Sequence, residues 1–155
     1  MERIFRSGPA SAAGERERMA RAVALLETLV GKHVGTSVDV ARNAAAGPGQ
    51  LDCVAESVNT SVYLLQLQNR GLLTYHRVEA TRHRGFLIFY PHNTAVVREL
   101  STDRLFAVDS WFGDNGEMPY VVPLEEWLDG WSPERDDVMI KGRDAPVSSE
   151  LGNGI

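Results

Sequence analysis

Apolar residues recur at spacings of three and four over 14–32, where Met19, Ala22, Val23, Leu26, Leu29 and Val30 form one stripe. That is the pattern of an amphipathic helix. Arg16, Arg18, Arg21 and Glu27 fall largely on its other face, and Gly31 and Gly35 mark its end. A short helix is predicted over 37–46, capped by Ser37 and broken by Gly47-Pro48-Gly49. A third follows over 51–69, with Asp52 or Gln50 as its N-cap. Val54, Ala55, Val58, Val62, Leu64, Leu65 and Leu67 make it apolar over most of its circumference, which predicts a central helix. The period then shortens to that of strands, predicted over 72–78, 86–90, 94–100 and 105–109. Turns are read at 81–85 and 101–103. Residues 111–116 form an aromatic-bearing loop, and Pro123 and Gly130 bracket a short helix. Residues 1–13 read as a loose leader and 141–155 as a mobile tail. Helices followed by an antiparallel sheet predict a single α+β domain over 1–155.

Composition narrows the function classes. The 155 residues carry 16 basic and 21 acidic side chains, a net charge of −5. This argues against general nucleic-acid binding, which needs a basic face to displace counterions from phosphate. No apolar run approaches the ~20 residues of a membrane span. A single cysteine cannot form an internal disulfide, so a cytoplasmic location is expected. Four histidines without a Cys-x-x-Cys or His-x-x-x-His pair give no metal signature. No glycine-rich phosphate loop follows a strand, and no cofactor is expected.

The candidate chemistry centres on that cysteine. Cys53 stands in Gln50-Leu51-Asp52-Cys53-Val54-Ala55-Glu56-Ser57, at the head of the third helix. His92 opens an apolar strand 39 positions later, and Asp109 closes the next strand 17 positions further on. A free thiol is mostly protonated at neutral pH, whereas catalysis needs the thiolate. A helix N-terminus supplies partial positive charge, a histidine can take the proton, and an aspartate can hold the other ring nitrogen. Asp52 and Glu56 oppose this, since nearby carboxylates disfavour a second negative charge. In a regular hairpin about the 101–103 turn, Asp109 lies opposite Ala95. His92 is then three residues along, about 10 Å at ~3.3 Å per residue. A bulge or a shorter turn would close that gap.

These passages, with Pro91-His92-Asn93-Thr94-Ala95-Val96 and Phe106-Ala107-Val108-Asp109-Ser110-Trp111, resemble the core of the transglutaminase-like and papain-like cysteine enzymes. The resemblance covers roughly 50–111. It implies that Cys53 is the nucleophile, His92 the acid–base and Asp109 the orienting residue. It also implies acyl transfer at an amide of a protein or peptide: hydrolysis, glutamine deamidation or crosslinking. The family often has an aromatic residue directly after the cysteine, and here Val54 stands there.

Two further residues are candidates for substrate binding. The Gln50 side chain and the Cys53 backbone N–H are candidate oxyanion donors, and Trp111 is placed to shade the site. Trp111, Phe112, Trp127 and Trp131 otherwise read as core. Two alternatives stand beside the enzyme. One is a protein-binding module on the same fold with an inert, buried cysteine. The other is a thiol redox sensor that needs a partner thiol. The oligomeric state is not legible.

Overall fold

Residues 2–42, 48–86 and 89–133 are described by the computed structural model of the chain. The predicted tail over 141–155 lies outside them. The first amphipathic stripe folds as α2 (Ala12–Val34), capped by Ser11, whose hydroxyl accepts the Gly14 N–H at 3.1 Å. Met19, Ala22 and Val23 on its inner face are fully buried. The expected leader is in part a helix, α1 (Glu2–Phe5), because Phe5 has a core site beside Met19 and Leu64. The expected helix over 37–46 is absent from 36–42, which turns tightly instead, and 43–47 lie outside the described residues. Asp39 supplies the physical reason. Its buried carboxylate accepts the Leu51 N–H at 2.8 Å, and its carbonyl accepts the Asn115 N–H.

The cysteine-bearing helix is α3 (Cys53–Asn69), with Asp52 as N-cap through a 2.8 Å bond from the Ala55 N–H. Leu64 and Leu67 bury its inner face, while Val54, Val58, Val62 and Leu65 form an exposed stripe. The helix is therefore not enclosed on all sides by the described residues. It packs on the sheet by one face.

Four antiparallel strands make one sheet in the order β1 (His76–Phe86), β2 (Phe89–Glu99), β3 (Leu105–Asp109) and β4 (Tyr120–Pro123). Strand β1 runs straight through the predicted 81–85 turn, with a register shift between Glu79 and Arg82. The predicted strand 86–90 is divided, since Phe86 ends β1 and 89–90 open β2, with 87–88 outside the described residues; β2 then continues across Pro91 through most of the predicted strand 94–100. Pro91 is tolerated because β3 pairs only with Ala95 to Arg98, leaving its missing N–H without a ladder partner to satisfy. Strand β4 has no counterpart in the sequence reading.

Alternation along the strands separates two layers. Ala95, Val97, Phe106 and Val108 face α2 and α3, while Val96 and Ala107 face Trp127, Trp131 and helix α4 (Leu124–Leu128). No helix among the described residues is long and apolar enough to cross a membrane.

The two long elements are tied by a buried acid. Glu15 accepts hydrogen bonds from the Thr74 and Tyr75 N–H groups and pairs with His76 Nδ1 at 2.9 Å. Burial raises the Glu15 pKa, but these bonds outweigh it and hold the carboxyl below its usual range. Replacing Glu15 by alanine strands these groups, and we expect a loss of about 3 kcal/mol. Urea unfolding at neutral pH measures it. A midpoint within error of the parent protein would refute the role.

Candidate active site

The hairpin between β2 and β3 decides which side chains meet. Its loop is four residues, 100–103, closed by the Glu99 N–H to the Arg104 carbonyl at 2.8 Å. Leu100 leaves the strand because its N–H bonds the Tyr75 carbonyl, and Asp103 takes the left-handed turn position at φ 61°. Val108, not Asp109, therefore pairs with Ala95. This single-residue difference from the expected register puts Asp109 and His92 on the same face of the sheet.

On that face His92 Nε2 and Asp109 Oδ2 lie 2.7 Å apart, both side chains buried. The same Oδ2 accepts the indole N–H of Trp127 at 2.7 Å, and Oδ1 accepts the Trp111 N–H at 3.2 Å. Rings enclose the imidazole: Trp111 at 4.6 Å between centroids, Phe112 at 5.3 Å and Trp127 at 5.4 Å. With Nε2 directed at the carboxylate, His92 Nδ1 is buried and has no hydrogen-bond partner among the described residues.

Cys53 occupies the first position of α3, half-buried. Its Sγ lies 3.8 Å from the Pro91 carbonyl oxygen and 3.8 Å from Asn93 Nδ2. The thiol thus sits against the residues on both sides of His92 and is not hydrogen-bonded to the ring. Strand alternation accounts for this. Asn93 shares its face with Ala95 and Val97, towards α3, whereas His92 faces the tryptophans. Of the three predicted residues, then, the structure pairs two directly and brings the third to their immediate neighbours.

The two carboxyls expected to oppose a thiolate are both accommodated. Asp52 points into the helix end as its cap. Glu56 is pushed up to about 9, by burial first, then by its hydrogen bond with Asp39 and by the charges of Glu27, Asp39 and Asp109. It is therefore uncharged at neutral pH. Glu27 rises to about 7, again chiefly through burial.

Gln50, expected as an oxyanion donor, has its side-chain amide engaged by the backbone of 38–40. Its Nε2 donates to the Val38 carbonyl at 2.7 Å and its Oε1 accepts the Val40 N–H at 3.3 Å, so the amide braces the 38–40 loop. Trp111 lies against the His92 imidazole. Sequence reasoning missed Asn93 and Trp127 as parts of the site. For Trp127 a signal existed, since a buried indole N–H requires an acceptor. For Asn93 there was none, because its role depends on strand parity. Comparison of the chain with protein-family models, curated proteins and solved structures gives no match.

Proposed function

We propose that this chain is a cysteine-dependent acyl-transfer enzyme of transglutaminase-like or papain-like type, acting on an amide of a protein or peptide through Cys53. One observation carries the reading. His92 is fixed on Asp109 through Nε2 while its buried Nδ1 has no partner among the described residues, and the Cys53 thiol lies against the residues that flank it. A buried, unpaired ring nitrogen in a native fold needs a reason. Proton transfer with the adjacent thiol supplies one. Joining the two groups requires movement at the Cys53 end of α3, and active-site bonds of this kind tighten when substrate binds.

In the proposed cycle the thiol proton passes to His92 Nδ1, and the sulfur attacks the amide carbonyl. The Cys53 N–H and the Asn93 amide, whose Nδ2 lies 3.8 Å from Sγ, are the proposed donors to charge developing on the carbonyl oxygen. The C–N bond then breaks, the leaving amine takes the proton from His92, and a thioester remains on Cys53. Water or an amine, deprotonated by His92, resolves it. The free thiol suits a reducing cytoplasm.

A second reading, a protein-binding module with an inert cysteine, is favoured by the exposed apolar stripe of α3. Carboxamidomethylation of Cys53 by iodoacetamide distinguishes the two. For the enzyme, the rate at pH 6.5 falls at least ten-fold in His92→Ala with the circular dichroism spectrum unchanged. Equal, slow labelling of both proteins would leave the binding module standing and remove the enzyme.

A further inference from the structure

The Asp109 carboxylate is almost wholly buried, and its Oδ2 is shared by two donors at the same 2.7 Å, His92 Nε2 and Trp127 Nε1. Trp127 is itself fully buried and lies on the His92 ring. The Arg84 guanidinium lies 4.4 Å from the centre of the Trp127 ring and donates to the carbonyl of the same residue. From this arrangement we infer that Trp127 is a positioning residue for the Cys53–His92–Asp109 chemistry, holding the carboxylate so that His92 keeps its proton on Nε2 and presents Nδ1 to the thiol. The inference rests on the proposed function for its role in catalysis.

The physical case has three parts. A carboxylate with one bond to a histidine can rotate about its Cβ–Cγ axis. The indole N–H on Oδ2 and the Trp111 N–H on Oδ1 hold both oxygens in place. A fixed carboxylate selects one neutral tautomer of the ring, because only an Nε2–H can donate to it. The same fixed acceptor is in place when His92 becomes positively charged, so no reorganisation is needed at that step.

Arg84 adds to this from the far side of the indole. A cation over an aromatic face is attracted to the ring electrons and draws them away from the N–H, which strengthens the donor. Burial lowers the pKa of Arg84 while the charge of Asp109 opposes that effect, which places the guanidinium in the field of the carboxylate. The chain Arg84, Trp127, Asp109, His92 therefore runs from β1 through α4 to the candidate base.

Trp127→Phe removes the N–H and keeps an aromatic ring between Arg84 and His92. Two readouts separate positioning from mere packing: the His92 tautomer, from long-range proton–nitrogen NMR correlations, and the pH profile of Cys53 carboxamidomethylation. The parent protein is expected to show a single tautomer with the proton on Nε2. Trp127→Phe is expected to show mixed tautomers and a labelling rate about five- to ten-fold lower at pH 6.5. A single tautomer and a parental profile in Trp127→Phe would overturn the inference. Mixed tautomers with a parental labelling profile would overturn its catalytic part. If Trp127→Phe fails to fold, 3-benzothienylalanine at position 127 keeps the shape without the N–H and yields the same readouts. If His92→Ala does not alter labelling, the enzyme reading falls, and the tautomer measurement still decides whether Trp127 orders His92.

Discussion

The fold is expected to lose stability as the pH rises from about 5 to about 9, with Glu56 the main cause. Both Glu56, at about 9, and Glu27, at about 7, have folded-state values well above the ordinary 4.5. A carboxyl raised in this way binds its proton more tightly folded than unfolded. Its contribution is complete below the unfolded value and disappears as the pH passes through the folded one. Glu27 therefore loses its contribution by about pH 7 and Glu56 by about pH 9. The opposite limb belongs to Glu15, Glu79 and Glu99, whose values are lowered and whose contributions fade as the pH falls below the usual carboxylate range. Maximum stability is expected near pH 5. Glu56→Gln preserves shape and can still donate to Asp39, but has no proton to lose. Each ten-fold change in proton affinity is worth ~1.4 kcal/mol, so at pH 8 this variant should exceed the parent protein by about 2 kcal/mol or more. Urea midpoints at pH 6, 8 and 9 test it. Parallel curves for parent and variant would mean that Glu56 ionises freely in the folded state.

The second large effect is expected at Asp109. Removing its carboxylate with Asp109→Ala leaves His92 Nε2 and the Trp127 N–H buried without their acceptor, and opens a gap beside the rings. Losing one partner of a buried pair costs on the order of 3–5 kcal/mol, a large share of the total stability of a domain this size. Asp109→Asn keeps the shape and one acceptor oxygen and should cost clearly less. Chemical denaturation of the two variants side by side gives the answer. Similar small losses in both would show that the pair contributes little to the fold, and would leave a functional reason as the ground for burying it.

Much of this architecture was legible in the sequence where one physical signal dominated. The stripe from Met19 to Val30 specified α2, and Asp52 or Gln50 before an apolar run placed the start of α3 to within two residues, with Asp52 the cap the structure selects. The α+β arrangement followed from the change of period, whereas the His92–Asp109 contact needed the one-residue change of register that the 100–103 loop imposes. Other features were lost where tertiary contacts override local preference. Glu27 reads as a surface residue but is buried between α3 and the 110–117 loop, where the Gly116 N–H donates to it. The Arg-rich 81–85 stretch reads as a turn but continues β1, because pairing with β2 supplies its hydrogen bonds and Arg84 lies over Trp127. Trp127 reads as plain core because hydrophobic pattern says nothing about where an indole N–H points. The transglutaminase-like core as such is a reading of three residues and their order. What the fold shows is the coarser α+β class, an antiparallel sheet beside a cysteine-bearing helix.

The buried pair also bears on how the chain finds its correct strand alignment. In the centre of the sheet Ala95, Val96 and Val97 face Phe106, Ala107 and Val108, and all six are buried. A strand polar on one face resists slipping, because a shift would put its apolar side chains in water. Here both layers accept apolar groups, so a shift of one residue costs little in burial. Asp109 supplies the missing discrimination. In a shifted hairpin its charge enters the helical layer, away from His92 and Trp127. A group placed for chemistry thus also acts as a proofreader of folding, penalising the misaligned sheet that the hydrophobic residues alone would tolerate.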